Sequence, residues 1–399
     1  MENIVNEELK KMKDMNPPPE EKKVEVKPSP VTAPVKEKKS LSIDLPSLPL
    51  EDFEVPEAGF KSELNITNSY IGALDFGIIG SGQCGGRIVK SFYDIGYKKA
   101  IALNTSLSDL NPLDIPAEQK LKIGGEGSGK DMKKGEAATT EAAQTIFDKM
   151  KQVFGTVDKI IVTVGFGGGT GSGGLKTLIA IANKYLQFLG NASSETDVIV
   201  VAALPTTGEL NSALTQENNK AIKEEMFKIA NAGAVGPLLL IDNSKIEKLY
   251  RGIPPVKFWP TVNDTITGLF HMFNFLATQE SDHTSFDAED YKTLLRTSGC
   301  AVMGVTKANL GETKLSQALQ DNFKKTLLSS KARYDTAQKA ACIVAADNKT
   351  MNECSMDDIN YGFDTIANLI GNATVYRGLY EVKSEGVRAY TFIAGMQEA

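Results

Sequence analysis

Cysteine is scarce in this chain, and what there is forms no framework. Cys84, Cys300, Cys342 and Cys354 lie far apart in 399 residues, with no C-x-x-C pair. That spacing excludes the stapled plan of small secreted domains and points to reduced thiols. Long apolar runs are also missing. None reaches the length needed to span a bilayer, and the segment opening Met1-Glu2-Asn3 lacks the charged-then-apolar layout of a signal peptide. A cytoplasmic protein without a membrane span is expected. There is no surplus of positive charge either. The net charge is -6 and Lys and Glu are intermixed, which argues against a broad nucleic-acid-binding face, so no direct nucleic-acid partner is expected.

What is present is enough apolar content, 41%, to fill real cores in a chain long enough for two domains. Residues 1–64 stand apart. They hold nine of the sixteen prolines and the charged run Glu20-Glu21-Lys22-Lys23, a composition that buries too little apolar surface to offset chain entropy. A disordered tail is predicted, either a solvated linker or a tether for an adaptor or a neighbouring subunit. Ile43, Leu45, Leu48, Leu50 and Phe53 are the part of it able to dock.

From about residue 70, compact apolar runs alternate with helical periodicity, the signature of βαβ units around a parallel sheet. Strands are expected at 72–79, 99–103, 159–164, 198–203 and 237–241, with helices between them at 135–153 and 174–189. A long helix over 261–278 carries a wide apolar stripe through Val262, Ile266, Leu269, Phe270, Phe273 and Phe275, suited to a place between two domains. Strands at 301–305, 340–345, 374–382 and 387–393 with helices at 314–329 and 356–370 predict a second, smaller α/β domain. The expected division is a tail (1–64), a Rossmann-like nucleotide-binding domain with a parallel sheet (65–258), a central helix and connecting loop (259–284), and a C-terminal α/β domain (285–399).

Three glycine clusters carry the chemistry. Gly80-Ser81-Gly82-Gln83-Cys84-Gly85 matches the dinucleotide fingerprint G-x-G-x-x-G, but the second strand ends in Asn104-Thr105 where that fold needs an acidic residue for the ribose. Gly124-Gly125-Glu126-Gly127-Ser128-Gly129-Lys130-Asp131 matches a P-loop until Asp131 replaces the magnesium-binding Ser or Thr, and it reads as a flexible loop. Lys130, Lys133 and Lys134 in it are either phosphate ligands or a solvated basic patch, the plainer use. The third cluster, Gly167-Gly168-Gly169-Thr170-Gly171-Ser172-Gly173, is the strongest. Consecutive glycines let backbone approach an anion closely, and a helix starting just after them offers free N–H groups and a positive dipole end to phosphate. The rival reading is a merely flexible turn.

That glycine run resembles the signature loop of the tubulin/FtsZ GTPases, and Gly82-Gln83-Cys84-Gly85 is similar to the tubulin G-Q-C-G segment. The resemblance covers about residues 71–397. It implies GTP or GDP with Mg²⁺, and no dedicated protein metal site. Gly82, Gln83 and Cys84 would lie near phosphate and base, Asn104 in the second loop, and Gly167, Gly168, Gly169, Thr170, Gly171 and Ser172 around the phosphates. Glu209 resembles the family's ribose-contacting acid. Asn243 and Asn263 would read guanine through their amides, though each alone reads equally well as a turn residue and a helix cap. The family's catalytic carboxylates fall on Asp287 and Asp290, which would polarise a water against the γ-phosphate of the next subunit. Without the resemblance, an i, i+3 acidic pair at a helix start is read as capping.

Two departures touch that picture. Ser285 stands where FtsZ has an Asn two residues before the first Asp, and Leu210-Asn211-Ser212-Ala213 stands where the family has an Arg after the ribose acid. They leave GTP binding expected and the hydrolysis rate open. The expectation is a GTPase that polymerises head to tail with itself. Its rivals are a nucleotide-binding scaffold with little hydrolysis and a nicotinamide enzyme using residues 80–85. The closing segment Val375-Tyr376-Arg377-Gly378-Leu379-Tyr380 resembles phage and plasmid tubulins, which implies DNA positioning in a bacterial cytoplasm. Cell division is the alternative.

Overall fold

A computed structural model of the chain describes residues 46, 48–51, 54–56, 59–191, 195–250, 252–308, 315–325, 332–353, 355–371, 373–383 and 386–398. Most of the predicted tail, with Ile43, Leu45 and Phe53, lies outside them.

Six strands form a parallel block in the order β3-β2-β1-β4-β5-β6. They are β1 (Phe76–Ser81), β2 (Ala100–Asn104), β3 (Lys120–Lys122), β4 (Lys159–Gly165), β5 (Val198–Leu204) and β6 (Pro237–Asp242). β1, β2, β4, β5 and β6 are buried nearly end to end because helices cover both faces, which is why they read as unbroken apolar runs. Their connections carry α1 (Gly82–Asp94), the short α2 (Leu107–Leu110), α3 (Met132–Glu141), α4 (Ala143–Val153), α5 (Gly169–Phe188) and α6 (Ala213–Asn231). The expected helix 135–153 is therefore two helices, hinged at Ala142. The expected helix 174–189 begins five residues earlier, inside the glycine run. Residues 121–122, which look too polar for a strand, belong to the short edge strand β3.

After β6 come α7 (Asn243–Leu249) and the long α8 (Pro255–Leu276), which packs on α1. Phe270 and Phe273 are buried, and Asn274 fastens the chain before β1 by accepting from Leu74 N at 2.9 Å and donating to Leu74 O at 3.2 Å. The remaining elements are α9 (Ala288–Leu295), β7 (Gly299–Ala308), α10 (Leu315–Lys325), β8 (Ala332–Arg333), β9 (Lys339–Ala346), α11 (Asn348–Glu353), α12 (Met356–Leu369), β10 (Thr374–Glu381) and β11 (Val387–Glu398). The sheet does not stop at β6. β7 pairs with it in parallel through Pro237–Gly299, Leu238–Cys300 and Leu239–Ala301, so one sheet runs through both halves, with β11 antiparallel between β7 and β9.

Part of the segment assigned by composition to the tail packs on the body. Phe60 meets Phe188 edge to face at 5.2 Å, Thr156 N donates to Phe60 O at 2.8 Å, and Leu64 N donates to Gln152 O at 3.0 Å. Leu48 and Leu50 lie against the same core.

At the amino-terminal edge of the sheet three charges meet. Asp197, just before β5, takes a bidentate pair of hydrogen bonds from Arg296 at 2.8 Å each and pairs with Lys159, the first residue of β4. Asn191 adds a third donor at 2.7 Å. Arg296 caps the C-terminus of α9, so this cluster fixes α9 to the sheet edge farthest from the strands' carboxyl ends.

Candidate functional site

The carboxyl ends of β1, β2, β4 and β5 open into a cleft of about 370 Å³. In an open α/β sheet this crevice is the expected place for a ligand. Ser81, Asn104, Gly165 and Leu204, each the last residue of its strand, line it. Gly82, Gln83, Cys84, Gly167, Gly168, Gly169, Thr170, Gly171, Glu209, Asn243 and Asn263 also line it, so all but three of the residues singled out from sequence come together there.

The glycine run works as a helix start. Gly168 is the extended N-cap residue, and Gly169 onward is helical, so the first turn of α5 points its N–H groups and dipole at the cleft. Gly167 has φ of 130°, a backbone conformation that L side chains rarely adopt. The helical glycines answer a different need. A Cβ on Gly173 would lie 2.0 Å from Met132 O, and one on Gly135 would lie 2.1 Å from Gly169 O. The glycines therefore allow α3 and α5 to touch backbone to backbone. Ser172 is not in the cleft. Its hydroxyl accepts from Gly167 N at 3.0 Å and donates to Gly165 O at 3.2 Å, which fixes the loop from behind.

Around the run lies a set of hydroxyls. Thr170 Oγ1 is 2.7 Å from Thr105 Oγ1 and 3.1 Å from Ser128 Oγ, and all three residues are buried. Ser81 Oγ is buried beside them without a hydrogen-bond partner, as a ligand-facing hydroxyl would be. Asp109 Oδ1 accepts from Gln83 Nε2 at 3.0 Å and its Oδ2 from Asn104 Nδ2 at 3.1 Å, so two of the predicted ligands also hold an acid. Burial pushes the Cys84 thiol up to about 12, helped by the Glu209 carboxylate and opposed by Arg87. Cys84 is a neutral lining group, not a nucleophile.

The other wall comes from α6, α7 and α8. Asn243 opens α7 behind the Asp242 cap and Asn263 sits on α8, both buried. Trp259 is one turn before Asn263, on the same helix face, and offers a flat apolar surface beside the two amides. Glu209 is held in a local turn, accepting from Thr206 N at 2.8 Å and Thr206 Oγ1 at 3.1 Å.

Asp287 and Asp290 do not line the cleft. They form a capping box on α9: Asp287 Oδ1 accepts from Asp290 N at 2.9 Å, and Asp290 Oδ2 from Asp287 N at 3.4 Å. The capping role expected from sequence alone is thus present, on an exposed edge.

Sequence reading missed Arg87, Thr105, Ser106, Asp109, Thr215 and Trp259, and it took the 127–130 loop for a flexible one with Lys130 either a phosphate ligand or a solvated charge. The loop was visible as a near P-loop, and Trp259 was findable from its i, i+4 spacing to Asn263. Asp109 had no local signal. For magnesium the cleft offers two carboxylates, Asp109 and Glu209, with several hydroxyls. Mg²⁺ is usually held by one or two carboxylates with phosphate oxygens and water, so this donor set fits it. Among the described residues no group of three or more His, Cys, Asp and Glu side chains is placed to hold a metal by itself.

A parallel sheet in the order 3-2-1-4-5-6, with a glycine-rich helix start at its carboxyl edge and two buried amides opposite, defines a nucleotide-binding α/β protein. Residues 76–250 match the GTPase domain of the tubulin/FtsZ family, and the chain belongs to that superfamily as a divergent member carrying this GTPase domain. The tubulin-like protein CetZ of Pyrococcus abyssi is 27% identical over 339 residues, covering 81% of this chain and 86% of that one. Cell division protein FtsZ 2 of Halobacterium salinarum is 27% identical over 331 residues, covering 81% and 77%. The GTPγS-form protofilament structure of Bacillus thuringiensis serovar israelensis TubZ superposes with a TM-score of 0.68 at 16% identity, covering 83% of this chain and 91% of that one. No helix of the described residues is long and apolar enough to cross a membrane.

Proposed function

We propose that the cleft binds GTP with Mg²⁺ and that subunits stack head to tail, so that Asp287 and Asp290 of one complete the cleft of the next. One observation carries this reading. The cleft lies at the carboxyl ends of β4 and β5, while Arg296, at the end of the helix bearing the acidic pair, is anchored at their amino ends by Asp197. Translating one copy along the strands brings its acidic edge over the open cleft of its neighbour. In that arrangement the α5 N-terminus and Thr170 hold the phosphates, Asn243 and Asn263 read guanine, Trp259 covers the base and Glu209 meets the ribose. The acidic pair orients and polarises water, since phosphoryl transfer needs chiefly positioning and charge control. Magnesium, when bound, neutralises charge on the phosphates.

The test is GTPase rate against protein concentration. A rate per subunit that rises through the assembly range is expected, and a flat one refutes the shared site. Asp287→Ala is expected to bind GTP and form filaments that do not turn over. Rapid disassembly of that variant counts against it.

The filament would work in the cytoplasm, and an adaptor would bind it through the N-terminal segment. For its cargo we propose movement of phage or plasmid DNA, on the resemblance of residues 375–380 to phage and plasmid tubulins. Cell division is the second reading, favoured by relatives named cell division protein FtsZ. Imaging a tagged protein in its host separates them: foci travelling with an extrachromosomal DNA favour the first, and a band at the division plane the second.

A further inference from the structure

We infer that Lys130 is a ligand of the terminal phosphate, giving the cleft a built-in preference for nucleoside triphosphate over diphosphate; this rests on the reading that the cleft takes GTP. The cleft is short of positive charge. Its lining cations are Arg87 and Lys130, set against the carboxylates of Asp109 and Glu209. Arg87 lies on the Cys84 and Glu209 side, where its charge acts on the Cys84 thiol. Lys130 is on the glycine-run side, and its backbone is built to stay there. Its φ of 66° is a conformation that only one other non-glycine described residue, Asn65, shares. Asn218 Nδ2 donates to Lys130 O at 2.7 Å and to Gly167 O at 3.3 Å, latching the lysine to the loop that caps α5. Two residues earlier, Ser128 Oγ meets Thr170 Oγ1 at 3.1 Å. The segment is thus tied to the glycine run on both sides.

The side chain crosses that run. Lys130 Nζ donates to Thr215 Oγ1 at 2.9 Å, and Thr215 is on α6, beyond Gly167, where a Cβ would meet Thr215 Cγ2 at 2.9 Å. The ammonium therefore spans the mouth of the anion site with a neutral hydroxyl as acceptor. A phosphate oxygen is a better acceptor for it, because a hydrogen bond with both partners charged is shorter and stronger than one to a neutral group. A diphosphate ends deeper in the cleft and leaves Lys130 on Thr215; the terminal phosphate of a triphosphate takes it.

The experiment measures displacement of mant-GDP from full-length protein by GTPγS and by GDP, below the assembly concentration. The variants are Lys130→Asn, which tolerates the positive φ, and Lys130→Arg, which keeps the charge. Lys130→Asn is expected to weaken GTPγS by about tenfold or more, the worth of a hydrogen bond between charged groups, with GDP changed by less than about threefold. Lys130→Arg is expected to recover most of the loss. Equal weakening of both nucleotides, or of neither, overturns the lysine assignment while leaving GTP binding intact. A wild-type chain that binds neither mant-GDP nor GTPγS overturns the nucleotide reading, and the lysine with it.

Discussion

The charge cluster that anchors α9 makes a quantitative prediction for Asp197→Asn. Burial alone would push the Asp197 carboxyl up, but the Arg296 guanidinium and the Lys159 ammonium outweigh it and hold it at about 2, against an ordinary 3.8. That difference is worth about 2–3 kcal/mol at 1.36 kcal/mol per pH unit. The folded carboxyl is more acidic than the unfolded one, so the stabilisation is whole above pH 3.8 and is lost as pH falls through about 2. Replacing the carboxylate by an amide also strands two cations, one of them in a side chain only 1% exposed. Removing one partner of a buried pair costs about 3–5 kcal/mol. Urea unfolding at neutral pH should therefore lower the midpoint of the variant by an amount equivalent to about 3–5 kcal/mol. Between about pH 4 and pH 2 the wild type should lose stability faster than the variant, which lacks the titrating carboxyl. Coincident midpoints at neutral pH, or identical pH slopes, would refute the reasoning.

Gly173→Ala forces a methyl against Met132 O and should displace α3, costing about 1–3 kcal/mol by overpacking and weakening nucleotide binding, as read by unfolding and mant-GDP titration. Gly168→Ala meets nothing within 4 Å, so it should leave stability within about 0.5 kcal/mol of wild type and lower only nucleotide affinity. At about pH 8 the raised Cys84 thiol should hold about a thousandfold less thiolate than an ordinary one, so peptide mapping after brief iodoacetamide treatment should find it unmodified. Burial raises the Asp290 carboxyl and outweighs the lowering effect of the Asp287 N–H, and the charge of Asp287 adds a smaller push upward. If Asp290 works as a carboxylate, phosphate release by filaments should fade on acidification above the usual carboxylate range, and Asp290→Asn should abolish that limb of the profile.

The fold class was readable because a parallel sheet covered on both faces leaves contiguous apolar runs, and β4, β5 and β6 fall within a residue or so of the expected bounds. Strand order was not readable from those runs, since it depends on which helix crosses which face. Everything that hangs on strand order was hidden with it. Lys159, Asp197 and Arg296 are 38 and 99 residues apart along the chain and look like ordinary surface charges until β4 and β5 are placed side by side. Asp109 was hidden for the same reason, since its partners Gln83, in the first turn of α1, and Asn104, at the end of β2, come together only once β1 and β2 lie side by side.

The glycine run shows a subtler limit. It was legible as an anion site, and a ligand-binding loop explains glycine at 167 and 168. It does not explain Gly173, which is buried in α5 and spared a side chain only because α3 lies against it. The same contact sets the start of α3, and α3 follows directly from the 127–130 loop that brings Lys130 over the phosphate end. One stretch of small residues thus meets two demands, close approach to a ligand and close approach of a helix. A Cβ at 173 should therefore impair binding through the 127–130 loop without touching the nucleotide, and Gly173→Ala combined with Lys130→Asn should lose less affinity for GTPγS than the two single losses predict.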